Sequence, residues 1–540
     1  MSKRGSPAAG TAALAFHPQL YEVPGAGKPF GATVASTRFL AALARHGGDG
    51  PLAVHLQGGA HAAMVAALLA RLGIDRAVDV TEPSQAGGLH LPNPALADAA
   101  RIRRPAGETA WSLTGVTHAL ATLPAFDAVA ALATAPVGPW DALVCPSRAV
   151  RGVVGAILAA EQEYLSRRLG AAVQPVLPLL PVIPLGIDAA ARAPRAGDRA
   201  RWRQRLGVAD GDVVLLYVGR LSAARKADPA ALYLAAEAAA RRRPERLWLV
   251  QAGWFADRES REAFVRGAAE LCPSVHTVFL DGRAPDVRDA IWSAADIFVS
   301  LVDNIQETFG LTPLEAMAGG LPVVASAWDG YRETVRDGHD GFLVETAMPA
   351  APLGVEIMRR YEDGRLDAAG FQAALGGTVA VDIAAAAAAI ERLVADPALR
   401  RRMGAAGMAR AATFEWPGIV AAYRDLWADL AERRRAAAAS NAWSRDPYGL
   451  FRHYPTRLVG RATRVRRIDD APARRPAGDS DLMPTDAEYT AMLERLGTGR
   501  LTVADLIAGF APDRADHVVR GVAALAKLGI VALDGPQGGS

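Results

Sequence analysis

The order of apolar and polar residues along the chain indicates two successive α/β domains. Short apolar runs alternate with longer segments of helical spacing, which is typical of parallel sheets covered by helices. In the first half, strands are predicted at residues 12–16, 52–56 and 141–145, and helices at residues 32–45 and 61–72.

A second series of apolar runs begins at residue 213. The run 213–218 is apolar throughout, as expected of a strand that is buried on both faces. Further strands are predicted at residues 247–251, 275–280, 297–301, 322–325 and 341–344. Two doubly wound domains joined by a short linker leave a cleft at the carboxyl ends of their strands, where ligands bind in such folds.

The pattern divides the chain into five segments. They are a first domain at residues 1–188, a second domain at 189–415, a helix returning to the first domain at 416–435, a linker or arm at 436–483, and a small, mostly helical module at 484–540. The helix order of this module is typical of winged-helix domains. Acidic residues accompany Arg514 and Arg520 in its candidate recognition helix, so no nucleic-acid partner is expected.

Composition favours an ordinary globular protein of the cytoplasm. The 540 residues are too many for one core, and a hydrophobic share of 51% excludes wholesale disorder. The two cysteines, Cys145 and Cys272, cannot form a disulfide framework, which indicates a reducing compartment. No signal peptide or membrane span is expected. Arginine-rich stretches at residues 101–104 and 464–475 leave peripheral contact with the inner face of a membrane open.

The most informative stretch is NIQETFGLTPLEAMAGGLPVV at residues 304–324. A helix is predicted to begin near Phe309, with Pro313 in its first turn, and the free N–H groups of a helix start bind anions. Glu307 and Glu315 flank this start. At helical rise they are roughly 12 Å apart, which is the reach from a donor sugar to a ribose across a diphosphate. Taken singly, each glutamate fits a helix cap or a solvated face better.

The whole stretch resembles the EX7E element of the family-4 retaining glycosyltransferases, which have the two-domain GT-B fold. Further pieces follow in the order of that family: SLTGVTH at residues 112–118, VIPLGID at 182–188, and VGRLS at 218–222 with Lys226 after it. The resemblance covers about residues 10–433 and is densest in the second domain.

The sequence departs from the family pattern at three places. Arg225 stands five residues after Arg220, where the family usually has its second cation, and we expect Lys226 to take that role. Leu185 replaces the usual asparagine. Asp329 stands where the family often has a Gly-Gly turn, and both a turn with a helix cap and a direct ligand role are open for it.

The resemblance implies retaining transfer of a hexosyl group from a nucleoside diphosphate (NDP) sugar. The implied catalytic residues are His118, Arg220, Lys226 and Glu307, and the implied donor-binding residues are Gly31, Phe309, Gly310, Leu311 and Glu315. In this reading the two cations hold the diphosphate, Glu307 holds the donor sugar and Glu315 holds the ribose. Gly31 ends a glycine-rich loop that also contains Gly25 and Gly27. An ordinary turn explains these glycines equally well.

No metal or other cofactor is expected, because the Asp-x-Asp at residues 210–212 precedes a predicted strand instead of ending one. The expected partners are an NDP-sugar donor and an acceptor that stays open between a saccharide, a lipid-linked compound and a protein. Two other functions also stay open. A sugar-nucleotide epimerase would need additional acid–base groups, and a catalytically inactive GT-B-like adaptor would not need to retain Glu307, Glu315, Arg220 and Lys226.

Overall fold

The computed structural model describes residues 11–22, 31–438, 442–469 and 481–534. Gly25 and Gly27 of the expected glycine-rich loop lie outside these residues. The chain divides into two compact units, Met1–Trp443 and Ser444–Ser540. Among the residues described, no helix combines the length and the apolarity needed to span a bilayer.

A parallel sheet forms the centre of the first domain, with the strand order β3-β2-β1-β4-β5-β6. Its strands are β1 (Ala13–Phe16), β2 (Leu52–Leu56), β3 (Val78–Val80), β4 (Gly88–Leu91), β5 (Ser112–Val116) and β6 (Ala142–Val144). Its helices are α1 (Gly31–His46), α2 (Ala62–Arg71), α3 (Pro83–Ala86), α4 (Leu96–Arg103), α5 (Leu123–Ala130) and α6 (Arg148–Leu169). The apolar pattern did not predict β3 and β4, since these strands are short and β3 is largely exposed.

The second domain repeats this topology with the order β12-β11-β10-β7-β8-β9. Its parallel strands are β7 (Val213–Val218), β8 (Leu247–Gly253), β9 (His276–Asp281), β10 (Ile297–Ser300), β11 (Val323–Ser326) and β12 (Gly341–Val344). Its helices are α7 (Asp198–Leu206), α8 (Ala230–Ala240), α9 (Arg258–Leu271), α10 (Pro285–Ala290), α11 (Leu311–Ala318), α12 (Tyr331–Thr334), α13 (Val355–Glu362), α14 (Ala368–Gly376), α15 (Ile383–Ala395) and α16 (Pro397–Ala412). A short antiparallel pair, β13 (Thr346–Ala347) with β14 (Ala380–Val381), brackets α13 and α14.

Both sheets reverse their strand order at one point, between β1 and β4 in the first and between β7 and β10 in the second. Hydrophobic clusters cover both faces of each sheet. The expected pair of doubly wound domains is therefore confirmed. Loops at the carboxyl ends of strands beside such a reversal form a crevice, which is the usual ligand site of this architecture.

The long helix α17 (Trp416–Ala436) leaves the second domain and packs on the first. The rings of Tyr423 and Phe39 lie 4.6 Å apart, and Trp427 Nε1 donates a hydrogen bond to Thr114 Oγ1 at 3.1 Å. Gly186, in the segment between the domains, has no room for a Cβ because the Trp416 ring would lie 2.3 Å from it. The two Rossmann-like domains are thus tied together by two separate crossings of the chain.

The second unit contains a three-stranded antiparallel sheet with the order β16-β15-β17. Its elements are α18 (Pro447–Leu450), β15 (Arg464–Arg467), α19 (Asp486–Leu496), β16 (Arg500–Thr502), α20 (Val503–Ile507), α21 (Ala515–Lys527) and β17 (Val531–Asp534). The prediction of a linker was wrong for β15, which is the central strand and buries Val465 completely. Arg514 pairs with Glu488 at 2.6 Å, and Arg520 donates to the carbonyl of Leu482.

Cutting the chain after Trp443 is expected to leave two pieces that fold independently. A cut near Ala473, inside the predicted linker, is expected to unfold the smaller unit because it removes β15 from between β16 and β17. Circular dichroism melting of both pairs of fragments tests this. If the pieces cut at Trp443 are insoluble while those cut at Ala473 are folded, the division into units is wrong.

Candidate functional site

The loop between β10 and α11 sits at the reversal point of the second sheet. Gly310 caps α11 with a φ of +86°, and a Cβ at this position would lie 1.9 Å from the ring of Tyr331. Glycine is therefore required, and its turn starts the helix at Leu311. Phe309, Gly310 and Leu311 stand at this helix start as predicted. The first N–H groups of a helix have no intrahelical partners and attract anions.

Lys226 and Glu307 form an ion pair between the loops that follow β7 and β10. Burial opposes the charge on both side chains, which are only 24% and 10% exposed. The attraction between them outweighs burial, so the pKa of Glu307 is lowered and the pKa of Lys226 is raised. The site therefore holds an anion and a cation side by side at neutral pH. Arg225, the alternative second cation, is exposed.

Arg220 follows β7 and stacks on an aromatic ring, with its guanidinium carbon 4.9 Å from the centre of the Trp254 ring. Burial, followed by the charge of Arg225, lowers the pKa of Arg220, although an arginine stays charged at any physiological pH. Within the part of the chain that the structure describes, no carboxylate pairs with this guanidinium. A stacked arginine without a carboxylate partner is well suited to bind phosphate oxygens.

Glu315 is a buried carboxylate of α11 that two arginines contact. Arg38 from α1 and Arg192 from the segment before α7 each place a nitrogen 3.3 Å from its Oε1. Since α1 belongs to the first domain, this contact joins the two domains across the cleft. The expected separation of roughly 12 Å between the glutamates applied the helical rise to all eight residues and stays a prediction. The helix begins only at Leu311, and Glu307 lies in the preceding loop.

The first domain reaches the Glu307 loop through His118. Its backbone carbonyl accepts a hydrogen bond from Thr308 Oγ1 at 2.9 Å. Burial lowers the pKa of His118 to about 4, so the imidazole is neutral at neutral pH. Its Nδ1 is buried and has no hydrogen-bond partner among the residues described. The imidazole lines a small cavity together with Phe39, His90 and Trp416, so only the backbone of His118 is shown in contact with the Glu307 loop.

Gly31 is the first described residue after the glycine-rich loop, and it opens α1. A Cβ at Gly31 would meet no described atom within 4 Å, so its surroundings do not require glycine. Arg38 lies about two turns further along the same helix and contacts Glu315. Arg38 thus links α1 to the second domain, and the structure shows no such contact for Gly31 among the residues described.

Asp329 follows β11 and forms a small network with Ser147 of the first domain. Ser147 Oγ lies 3.0 Å from Asp329 Oδ1 and 3.0 Å from the carbonyl of Thr308, and it accepts the N–H of Val150. A hydroxyl has one proton to donate, so all three contacts are satisfied when Asp329 is itself protonated. In agreement, burial and then the charge of Glu307 raise the pKa of Asp329 to about 7.

The Asp329→Asn variant is expected to melt at a higher temperature than the parent at pH 8 and at the same temperature near pH 4. The pKa of this carboxyl is about 7 in the folded chain and 3.8 when unperturbed, so its contribution to stability is lost as pH rises between these values. Asparagine has no such proton to lose. Melting curves from pH 4 to pH 8 measure the difference.

The matched control for this prediction is Asp98→Asn, because the Asp98 side chain is 79% exposed. Its melting temperature should follow that of the parent at every pH. A difference between Asp329→Asn and the parent that is constant across the range would contradict a raised pKa.

Comparison with known proteins identifies the domain that carries these groups. The family model described as "Glycosyl transferases group 1" matches residues 198–364. Residues 198–364 thus resemble a group 1 glycosyltransferase domain. The matched segment includes Arg220, Lys226, Glu307 and Glu315.

Proteins named D-inositol 3-phosphate glycosyltransferase match parts of the chain. The protein of Acidothermus cellulolyticus is 34% identical over 269 residues, which are 47% of this chain and 49% of that protein. The protein of Geodermatophilus obscurus is 40% identical over 178 residues, which are 31% of this chain and 37% of that protein. The chain thus spans about half the length of the relatives it matches, or less.

Solved structures also resemble the chain. Anabaena HepE, solved with UDP and glucose, gives a TM-score of 0.47 at 17% identity and covers 79% of this chain and 100% of its own. Sucrose-phosphate synthase from Thermosynechococcus elongatus gives a TM-score of 0.46 at 21% identity and covers 78% of this chain and 99% of its own.

The structure adds residues to the group 1 site that the sequence did not reveal. Arg38 and Arg192 contact Glu315, and Ser147 and Asp329 join the first domain to the Thr308 backbone. The two arginines gave no local signal, because they lie far from the motif along the chain. Asp329 did give a local signal in the sequence, because the family usually has glycine in that turn. In the structure Asp329 adopts a φ of +42°, which is rare for residues other than glycine.

Proposed function

We propose that the chain is a retaining glycosyltransferase that moves a hexosyl group from an NDP-sugar to an acceptor hydroxyl. The observation that carries this proposal is the Lys226–Glu307 ion pair beside the start of α11. A cation, an anion and the N–H groups of a helix start meet at one point, where a sugar joined to a diphosphate needs them. The family match of the second domain supports the same reading.

In the proposed reaction, the bond between C1 of the sugar and the phosphate oxygen breaks. Arg220, Lys226 and the N–H groups of residues 309–311 stabilise the negative charge that builds on the leaving diphosphate. Glu307 binds sugar hydroxyls and offsets the positive charge near C1. The acceptor oxygen bonds to C1 on the face that the phosphate leaves, and its proton passes to the leaving phosphate. No side chain is then needed as a base.

The other groups of the site bind and orient the substrates. Glu315 accepts hydrogen bonds from the ribose hydroxyls, and His118 positions the donor or the acceptor from the first domain. The contact between Arg38 and Glu315 supports a catalytic arrangement in which both domains close on the donor. The two cysteines are free and buried, which supports the expected cytoplasmic setting.

Turnover of radiolabelled NDP-sugars by the full chain tests the proposal. Transfer to an acceptor or slow donor hydrolysis, with the anomeric configuration of the product read by NMR, supports a retaining transferase. Interconversion of the donor sugar without transfer indicates an epimerase. If no NDP-sugar of a panel with uracil, guanine, adenine and thymine bases binds or reacts, the chain is an adaptor.

Activity is expected to survive removal of divalent metals. The proposed site neutralises the diphosphate with Arg220, Lys226 and helix N–H groups, so a bridging cation is not required. Initial rates with and without EDTA, each with magnesium or manganese added back, measure this. Complete loss in EDTA with recovery on adding metal would falsify metal independence.

A further inference from the structure

Residues 348–379 form an excursion from the second domain. The strands β13 and β14, on either side of it, pair antiparallel, with Thr346 opposite Val381 and Ala347 opposite Ala380. The chain therefore leaves the second domain and returns to it at the same place. Between these strands it forms α13 and α14, which pack against each other through Tyr361 and Phe371, whose rings stack at 4.4 Å.

The excursion reaches across the cleft and contacts the first domain. Gln372 Nε2 donates to the carbonyl of Ala121 at 3.0 Å and to Gln306 Oε1 at 2.8 Å. The hydroxyl of Tyr361 accepts the N–H of Leu123 at 3.1 Å. Since Gln306 precedes Glu307, these contacts place the excursion directly beside the proposed reaction centre.

A cavity of about 440 Å³ lies between the excursion and α5 and α6 of the first domain. This is the size of a pocket for a small organic molecule. Its apolar lining comes from both domains and consists mainly of Leu120, Phe126, Val153, Met348, Phe371 and Leu375.

The polar groups of the lining are concentrated around one network. Glu307 and Thr308 are adjacent in the chain, and Ser147 bridges Thr308 to Asp329. Within the described residues, the lining contributes one cationic side chain, Arg332. The cavity thus has a polar end next to Glu307 and an apolar body.

Two apolar side chains of the lining remain in contact with water. Val153 is 44% exposed and Met348 is 53% exposed. Apolar surface that faces water in a concave, otherwise buried site is unfavourable and is relieved when an apolar group covers it.

We propose that this cavity is the acceptor site and that the acceptor is an alcohol on a small apolar body. The inference rests on the proposed function, since the hydroxyl sits at the Glu307 end, its oxygen bonds to C1 of the donor, and its proton leaves with the diphosphate. The body of the acceptor lies against Phe126, Val153 and Phe371. A phosphorylated polyol, the acceptor named for the relatives, would leave this apolar lining exposed and would find few cations.

Binding of three probes to the full chain tests the inference. They are n-octyl β-glucoside below its micelle concentration, methyl β-glucoside, and myo-inositol 3-phosphate, each measured by calorimetry. We expect the octyl compound to bind at least tenfold more tightly than the other two, because burying its chain removes apolar surface from water. Equal affinity of the two glucosides, or tighter binding of the inositol phosphate, overturns the inference.

Matched variants locate the binding. Val153→Asp is expected to weaken octyl glucoside binding at least tenfold, whereas Val265→Asp, at a helical valine that is 43% exposed and outside the lining, leaves it unchanged. Met348→Asp and its control Met408→Asp form a second pair in case the first does not fold. Octyl glucoside affinity that survives both lining variants overturns the inference.

Two further measurements separate the sources of failure. Affinity for UDP, GDP, ADP and TDP reports on the donor site alone. If the parent binds none of the four, the proposed function is wrong, whatever the affinities for the glucosides are. Co-sedimentation of the parent, but not of Val153→Asp, with phosphatidylglycerol vesicles would overturn the small-molecule assignment in favour of a membrane lipid.

Discussion

Replacing Glu307 with glutamine is expected to lower kcat by about a hundredfold or more while the affinity for the nucleoside diphosphate stays close to that of the parent. Positive charge develops at C1 only in the transition state, so a carboxylate beside it stabilises that state selectively. Glutamine keeps the shape and removes the charge. The diphosphate product has no sugar, and it therefore reports on binding without this contact.

Glu315→Gln is the matched comparison, because it makes the same change eight residues further along. The ribose is unchanged as the bond breaks, so loss of the Glu315 charge weakens ground and transition states alike and raises KM more than it lowers kcat. In the parent, Arg38 and Arg192 contact this carboxylate. Removing its charge is expected to loosen the contact between the domains as well, which adds to the rise in KM.

Steady-state kinetics and calorimetric binding of the product, on both variants, distinguish the two roles. Loss of product binding in Glu307→Gln with retention in Glu315→Gln would reverse the assignment. Full turnover in both variants would remove the basis for the proposed enzyme activity, since neither glutamate would then contribute to the reaction.

The features that the sequence predicted best are local ones. The strand β7 is apolar throughout, and β10 and β11 are apolar up to a final serine, so these buried parallel strands are recognisable from their apolar runs alone. The start of α11 is equally local, because Gly310 and Pro313 mark it within four residues. Lys226 was expected at the donor site because residues 218–226 resemble the family's cationic loop, whereas its pairing with Glu307 was not predicted.

The features that the sequence did not predict depend on distant partners. Three of the four residues of β15 are arginines, so the sequence pattern predicted a linker at this position. Its partners, residues 500–502 and 531–534, lie more than thirty positions further on, and only their sheet buries Val465. Pairing over such a distance leaves no periodic signal in a strand of four residues.

Distant partners also explain why the sequence did not predict the residues around Glu315 and around the cavity. A glutamate that is buried inside a helix needs a partner for its charge. No residue close to Glu315 in the sequence indicated that Arg38 and Arg192 contact it. The sequence placed residues 348–379 only within a second domain at 189–415 and did not single out the excursion. Its role as a wall of the cleft follows from contacts such as that of Gln372 with Ala121, which no local pattern encodes.

Replacing Gly310 with alanine is expected to lower the melting temperature several times as much as the same change at Gly338, and to reduce transfer about a hundredfold. Both glycines have a positive φ, of +86° and +73°, which costs an alanine about 1–2 kcal/mol. At Gly338 a Cβ would meet no described atom within 4 Å. At Gly310 it would lie 1.9 Å from the Tyr331 ring, and such overpacking costs roughly 1–3 kcal/mol more.

The loss of activity at Gly310 follows from where the clash is relieved. The Tyr331 hydroxyl lies 3.0 Å from Ser300 Oγ at the end of β10, so the ring is held from the sheet side and the helix start must move instead. A displacement of about 1 Å in a group that positions the substrate can cost a hundredfold in rate. Melting curves, diphosphate binding and transfer rates of both alanine variants measure these effects. Equal behaviour of the two variants would show that the N–H groups at the start of α11 do not hold the donor.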